Sequence, residues 1–255
     1  MSSGLTSSID LVEILFTLFW VFFVFLVLYL QREGKREGYP LVSERSDNIT
    51  VQGFPSMPRQ KTYLLTHGGT ALAPSGDPPE TDLAAVPAAN FPGAPLVPTG
   101  DPMVDGVGVA AYANRSDTPD LTLDGRNRIV PIWTQPEAYV DPRDKDPRGM
   151  AVVAADGETV GTITDLWIDL SEPMIYFLEM TPEKGGASVM VPFHFAKIRK
   201  SEDEIRVNAL YSHQFDKVPR LRSPDQITLL EEDKITAFYA GGELYADESR
   251  QEPFI

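Results

Sequence analysis

The chain contains no cysteine, which excludes disulfides, thiolate metal sites and a cysteine nucleophile. Histidine is almost as scarce. His67, His194 and His213 stand far apart, and no H-E-x-x-H or comparable cluster could build a His-rich metal centre. No G-x-x-x-x-G-K-[ST], G-x-G-x-x-G or G-x-S-x-G stretch occurs. Positive charge is in deficit: 22 Lys and Arg face 37 Asp and Glu, a net −15 over 255 residues. That balance lacks the basic footprint of a nucleic-acid binder. With no hydrolytic or redox constellation, the profile is that of a subunit rather than a free-standing enzyme.

Charge is also missing locally. Residues 14–30, ILFTLFWVFFVFLVLYL, run seventeen positions without a charged side chain. A helix over 11–31 is about 30 Å long, the hydrocarbon thickness of a bilayer. Trp20 and Tyr29 are amphipathic aromatics, and Tyr29 stands at the end, where interface anchors lie. A secretory signal fits poorly, since residues 1–13 hold no Lys or Arg and no small-residue cleavage site follows. The span holds no His, which a single-span pigment-carrying peptide would need as a magnesium ligand. All basic residues follow the span, starting with Arg32, Lys35, Arg36 and Arg45. The positive-inside rule therefore predicts that a tail at 1–10 lies outside and the remainder in the cytoplasm. Tyr29, Arg32, Lys35 and Arg36 are the expected contacts to lipid headgroups.

Beyond the span, the texture changes twice. Ten of the 22 prolines fall between 53 and 103, which rules out long helices and central strands there. Spaced apolar residues such as Phe54, Tyr63 and Phe91 suggest an extended membrane-surface arm over 32–105, with a short strand at Lys61–Leu65 and a turn at His67-Gly68-Gly69. A globular part is expected over 106–255. In it, β-rich runs (150–154, 160–170, 174–180, 188–192 and 205–210) alternate with turn signals, the pattern of a small antiparallel barrel. Residues 226–240 read as a helix, with Ser and Asp before it and Gly241-Gly242 marking its stop. The carboxylates of DPRDKDPRG (141–149) lack the spacing of a calcium loop and read as a solvated turn.

The segment GTITDLWIDLSEP (161–173) carries the most suggestive chemistry. Alternate strand residues share a face, so Asp165 and Asp169 flank Trp167 on one face, and Glu172 waits in the turn.

Several stretches resemble, in order, the H subunit of the photosynthetic reaction centre of purple bacteria. They are YLQREGKREGYPL (29–41), KTYLLTHGGT (61–70), APLVPTGDPMVDGVGVAAY (94–112), DPRGMAVVAADGETVGTITDLWIDLSEP (146–173) and SPDQITLLEEDKITAFYAGGELYA (223–246). The resemblance implies a single transmembrane α-helix plus a mainly-β cytoplasmic domain, with a PRC-barrel (a small antiparallel β-barrel) at about 145–222 and a C-terminal helix. It implies a non-catalytic subunit in a bacterial inner, intracytoplasmic membrane. Such a subunit caps the cytoplasmic face of the L and M subunits. It shields the quinone region and helps bring protons to the secondary quinone. The chain itself would bind no cofactor. Bacteriochlorophyll, bacteriopheophytin, quinones and a non-haem iron would sit on partner chains, and a cytochrome subunit and a light-harvesting antenna are further candidate partners.

By the same resemblance, Glu172 and Asp169 match carboxylates of a water-linked cluster near the secondary quinone, and Asp124 matches an acidic residue at a surface proton entrance. Carboxylates relay protons when burial and like-charge neighbours raise their pKa. Some relatives place two histidines after that Asp; here Arg126 and Arg128 follow in a shorter loop, and arginine does not relay protons. Asp165 is left as a solvent-facing strand residue. The residues alone leave a second reading open, a membrane-anchored PRC-barrel module that recruits other proteins and has no link to photochemistry.

Overall fold

The computed structural model describes residues 11–43, 46–66, 68–75, 83–91, 93–172, 174–199, 201 and 203–251. The expected tail at 1–10 and His67 of the expected turn lie outside them. The chain forms two compact units, residues 1–81 with 90–94 and residues 82–89 with 95–255.

In the first unit, α1 runs from Leu11 to Glu33. It is the one helix among the described residues that is long and apolar enough to cross a membrane, and none of its residues is buried within the protein. At about 1.5 Å per residue it reaches some 35 Å. A 3₁₀ turn at Gly34–Arg36 ends it. The proline-rich segment that follows is more ordered than an extended arm: strands pair antiparallel as Leu41–Ser43 with Ser46–Val51 and as Lys61–Leu64 with Thr70–Ala73.

The second unit starts before the expected border at 106. Asp101 caps the short helix Pro102–Asp105 and pairs with Lys217 at 2.6 Å, while Met103 is buried in the core. The PTGDPM stretch is therefore a clasp of this unit. Its sheet contains β1 (Ile129–Pro131), β2 (Ala151–Val153), β3 (Thr159–Asp169), β4 (Met174–Pro182), β5 (Val189–Pro192), β6 (Ala196–Arg199) and β7 (Glu204–Val207). The order is β5-β4-β3-β2-β7-β6, with β1 beside the C-terminal half of β3. Pairing is antiparallel except between β2 and β7. The two ends of this order, β5 and β6, are joined only by Phe193–Phe195. Three residues reach roughly 10 Å, so the sheet must curl until its ends approach. Ile163, Leu166, Trp167, Phe177, Met180, Val191 and Ile205 fill the interior.

The C-terminal helix, α2 (Leu229–Tyr245), covers this core with Ile235, Phe238 and Tyr239. Thr228 and Glu231 form a reciprocal capping box, so the helix begins after the expected start at 226. It also continues past 240. Gly241 and Gly242 do not stop it; they let it approach its neighbours. A Cβ on Gly241 would stand 2.6 Å from the Ala110 Cβ, and one on Gly242 2.4 Å from the Ala209 carbonyl oxygen.

Candidate functional site

The C-terminal end of β3 brings Asp169, Glu172 and several unpredicted partners together, while Asp124 stays apart in the 120–128 loop. Asp169 pairs in register with Ile129 of β1 and Met174 of β4, and its side chain is almost fully buried. Its Oδ1 accepts the backbone N–H groups of Ser171 (2.7 Å) and Glu172 (3.1 Å). Its Oδ2 accepts from Arg128 Nε at 2.8 Å. Burial alone would raise the Asp169 pKa, but the Arg128 guanidinium and the two backbone donors outweigh it and hold the carboxyl below the usual range. Asp169 is thus a fixed anion that shapes the turn presenting Glu172. The expectation for Asp169 is a proton relay; its pairing with Arg128 favours the charged form.

Glu172 stands exposed in that turn. Asp124 is exposed too, 3.6 Å from Arg126. Arg128 also reaches Asp120 at 3.2 Å, extending the charged run from the turn to the 120–128 loop.

One member escaped sequence reasoning. Glu232, in the first turn of α2, accepts a hydrogen bond from Tyr176 Oη at 2.8 Å. Burial raises its pKa; Tyr176 and Arg115 oppose the shift, while Asp233 and Asp120 add to it. Burial and Glu232 together push the Tyr176 hydroxyl up to about 12. Glu232 is set apart from the salt-bridged Asp169 by burial and a hydroxyl donor. Nothing local marks it, since EED at a helix start reads as ordinary dipole compensation and its partner lies 56 residues away.

Exposed apolar side chains surround this end of the barrel. Trp133 and Tyr139 are 67% and 78% exposed, and Met174, at the head of β4, is 48% exposed. An open cleft of about 590 Å³ is lined by Tyr139, Met174, Ile175 and Asp169 among others.

The basic collar after α1 is arranged differently from expectation. Lys35 is 3% exposed and donates to the carbonyl oxygens of Gln52 and Pro55, with its ammonium 5.3 Å from the centre of the Tyr39 ring. Arg36 forms a double hydrogen bond with Glu33 (2.8 and 2.9 Å) and donates to the carbonyls of Arg59 and Ala73. Both tie the chain after the helix to its own backbone, so neither is free to meet a lipid phosphate. Tyr29 and Arg32 remain exposed.

Residues 3–134 match the family described as photosynthetic reaction centre, H-chain N-terminal region. The chain belongs to the reaction-centre H-chain family. Residues 142–214 match the PRC-barrel domain, which is the curled sheet from β2 to β7. As an H chain it is a structural subunit that associates with other reaction-centre subunits, and its apolar helix α1 fits a membrane location.

Proposed function

We propose that this H chain caps the cytoplasmic faces of the L and M subunits and helps conduct protons toward the secondary quinone. The observation that carries the reading is the β3 turn: half-buried Arg128 paired with buried Asp169 fixes it, Glu172 projects from it, and exposed apolar residues lie nearby. In this reading Trp133, Tyr139 and Met174 dock against the partner subunits and exclude bulk water. Glu172 and Glu232 hold protons in transit, Asp124 collects them at the surface, and Asp169 positions the turn. Tyr29 and Arg32 contact headgroups of membrane phospholipid. The chain lies in the intracytoplasmic membrane with its N-terminus periplasmic. The bacteriochlorophyll, bacteriopheophytin, quinones and non-haem iron are held by partner chains, and a cytochrome subunit or an antenna contacts the complex elsewhere.

The test is Glu172→Gln in the assembled complex. An amide cannot relay a proton, so flash spectroscopy should show slowed proton-coupled transfer of the second electron, with primary charge separation intact. Unchanged second-electron kinetics would remove Glu172 from the path. An absorption spectrum of the purified complex without near-infrared bacteriochlorophyll bands would favour the recruitment module instead.

A further inference from the structure

Asp165, on β3, is not the solvated residue that the alternation suggests. Its Oδ2 is buried and has no hydrogen-bond partner. In the β3–β4 register it stands directly opposite Glu179. Opposed side chains of an antiparallel pair have Cβ atoms roughly 5 Å apart, and like charges placed so destabilise the pair. Glu179 is committed on its other side, because its Oε2 accepts the Trp167 Nε1–H at 3.0 Å. Trp167 is fully buried and lies opposite Phe177 of β4 and Pro131 of β1. The other charged groups near Asp165 are Arg148 and Asp146 from the loop before β2, and Arg148 is taken up by Asp146 through Nε (3.0 Å). Among the described residues, no cation free of another carboxylate therefore faces these two, one of which has a buried, unpartnered oxygen.

We propose that Asp165 and Glu179 form a proton-binding carboxyl pair, with Asp165 as the protonated member donating to Glu179, and that this shared proton keeps the Glu179–Trp167 hydrogen bond in place. The chemistry is that of a carboxyl with a buried, unpartnered oxygen facing a second carboxylate, an arrangement that favours its protonated form. Loss of the proton sets two anions against each other across the strand pair and drives Glu179 from the indole. Trp167 bridges β3 to β1 and β4, and Asp169, two positions on, anchors the Glu172 turn on those same strands. The pair is thus a pH-sensitive strut under the site described above. Burial first, then the Glu179 and Asp146 charges, raise the Asp165 pKa; the Leu166 backbone N–H and Arg148 oppose the shift. Folded-state ionisation is therefore postponed to a pH above the ordinary aspartate range.

The probe is Trp167 emission in the full-length chain in detergent, with the two other tryptophans, Trp20 and Trp133, replaced by Phe. Emission should change through a single transition above the ordinary aspartate range. Asp165→Asn, which cannot lose a proton, should abolish the transition. Glu179→Gln, which removes the like charge, should move it to lower pH; this second variant keeps the test available should Asp165→Asn fail to fold. Glu232→Gln should leave it in place. The pair is overturned if the parent chain shows no transition, if Asp165→Asn titrates like the parent, or if Glu232→Gln is the variant that removes it.

Discussion

Arg128→Met is the sharpest test of the geometry at the β3 turn. The substitution keeps a long side-chain stem but removes the guanidinium that touches Asp169 Oδ2 at 2.8 Å. Asp169 would keep its two backbone donors on Oδ1, yet a buried carboxylate oxygen would lose its ionic partner. Breaking a fully buried pair from one side costs about 3–5 kcal/mol. The Arg128 side chain is 35% exposed, so water can enter the vacated position and the expected loss is smaller, about 2–3 kcal/mol. Two to four degrees of Tm per kcal/mol gives a fall of roughly 5–10 °C. The pH dependence should also invert in sign. In the parent, the Asp169 pKa is depressed, so its stabilisation is present above the unfolded-state pKa and is lost as pH falls through the folded-state pKa. Without Arg128, burial dominates and the pKa rises. Protonation then relieves the penalty, and the destabilisation measured at pH 7 should shrink by pH 5. Thermal unfolding of the full-length chain in detergent, followed by circular dichroism at both pH values, reads this directly. Adding Asp169→Asn should restore much of the loss, because no buried charge is left behind. A loss below about 0.5 kcal/mol at pH 7, or one of equal size at pH 5 and pH 7, would refute the assignment of Arg128 as the group that keeps Asp169 charged.

Gly241→Ala and Gly242→Ala should each cost about 1–3 kcal/mol through overpacking against Ala110 and the Ala209 carbonyl, seen as a lower Tm; normal stability in both would mean that α2 does not sit as close as described. Lys35→Met should leave the Gln52 and Pro55 carbonyls without their donor and cost about 1–3 kcal/mol locally. Limited proteolysis should then cut faster near residues 52–55, and unchanged cleavage would show that Lys35 is dispensable there. Glu232 is raised in the folded state, so its contribution falls as pH rises from the unfolded carboxylate range through the folded-state value. Glu232→Gln should flatten that part of the stability profile while preserving a Tyr176 hydrogen bond through the amide oxygen; an unchanged profile would take Glu232 out of the titrating set.

The fold was legible wherever a single physical constraint decides the pattern. A bilayer admits only a long uncharged run, and 14–30 supplies it. Turn chemistry at Asp156-Gly157 and Lys184-Gly185-Gly186 separates runs of alternating apolar residues, which exposes most of the barrel. β1 and β6 escaped because Ile129–Pro131 is buried at every position and Ala196–Arg199 carries two basic residues in four. β1 shows no alternation, and β6 alternates apolar with basic residues over only four positions, too short a run to stand out. In β3 the phase breaks at Thr164, which has no partner between Ile163↔Met180 and Asp165↔Glu179. Ile163, Leu166, Trp167 and Asp169 are all buried, so strict alternation could not sort this strand into an inner and an outer face. The glycine pair at 241–242 misled for the opposite reason. Glycine ends helices when it supplies a left-handed cap, but here it supplies thinness, which only the neighbouring backbone reveals.

The site shows where sequence reading stops. Resemblance grouped Asp169 with Glu172 and set Asp165 aside, because spacing along one strand says which residues are near each other but not what they face. What an acidic group can do with a proton is decided by partners from other elements. Arg128 comes from the loop before β1 and pins Asp169 as an anion. Tyr176 comes from β4 and meets Glu232 in a half-buried position where the charge is disfavoured. Glu179, also from β4, faces Asp165, while the nearby Arg148 is taken up by Asp146. These three carboxylates thus have three electrostatic roles, and none of the three partner side chains lies within ten residues of the carboxylate it meets. For a strongly acidic chain, the informative quantity is therefore not how many carboxylates it carries but which of them lack a guanidinium. On that criterion Glu232 and Asp165 are the groups whose environment penalises charge, and the salt-bridged Asp169 is the fixed point against which Glu172 is displayed.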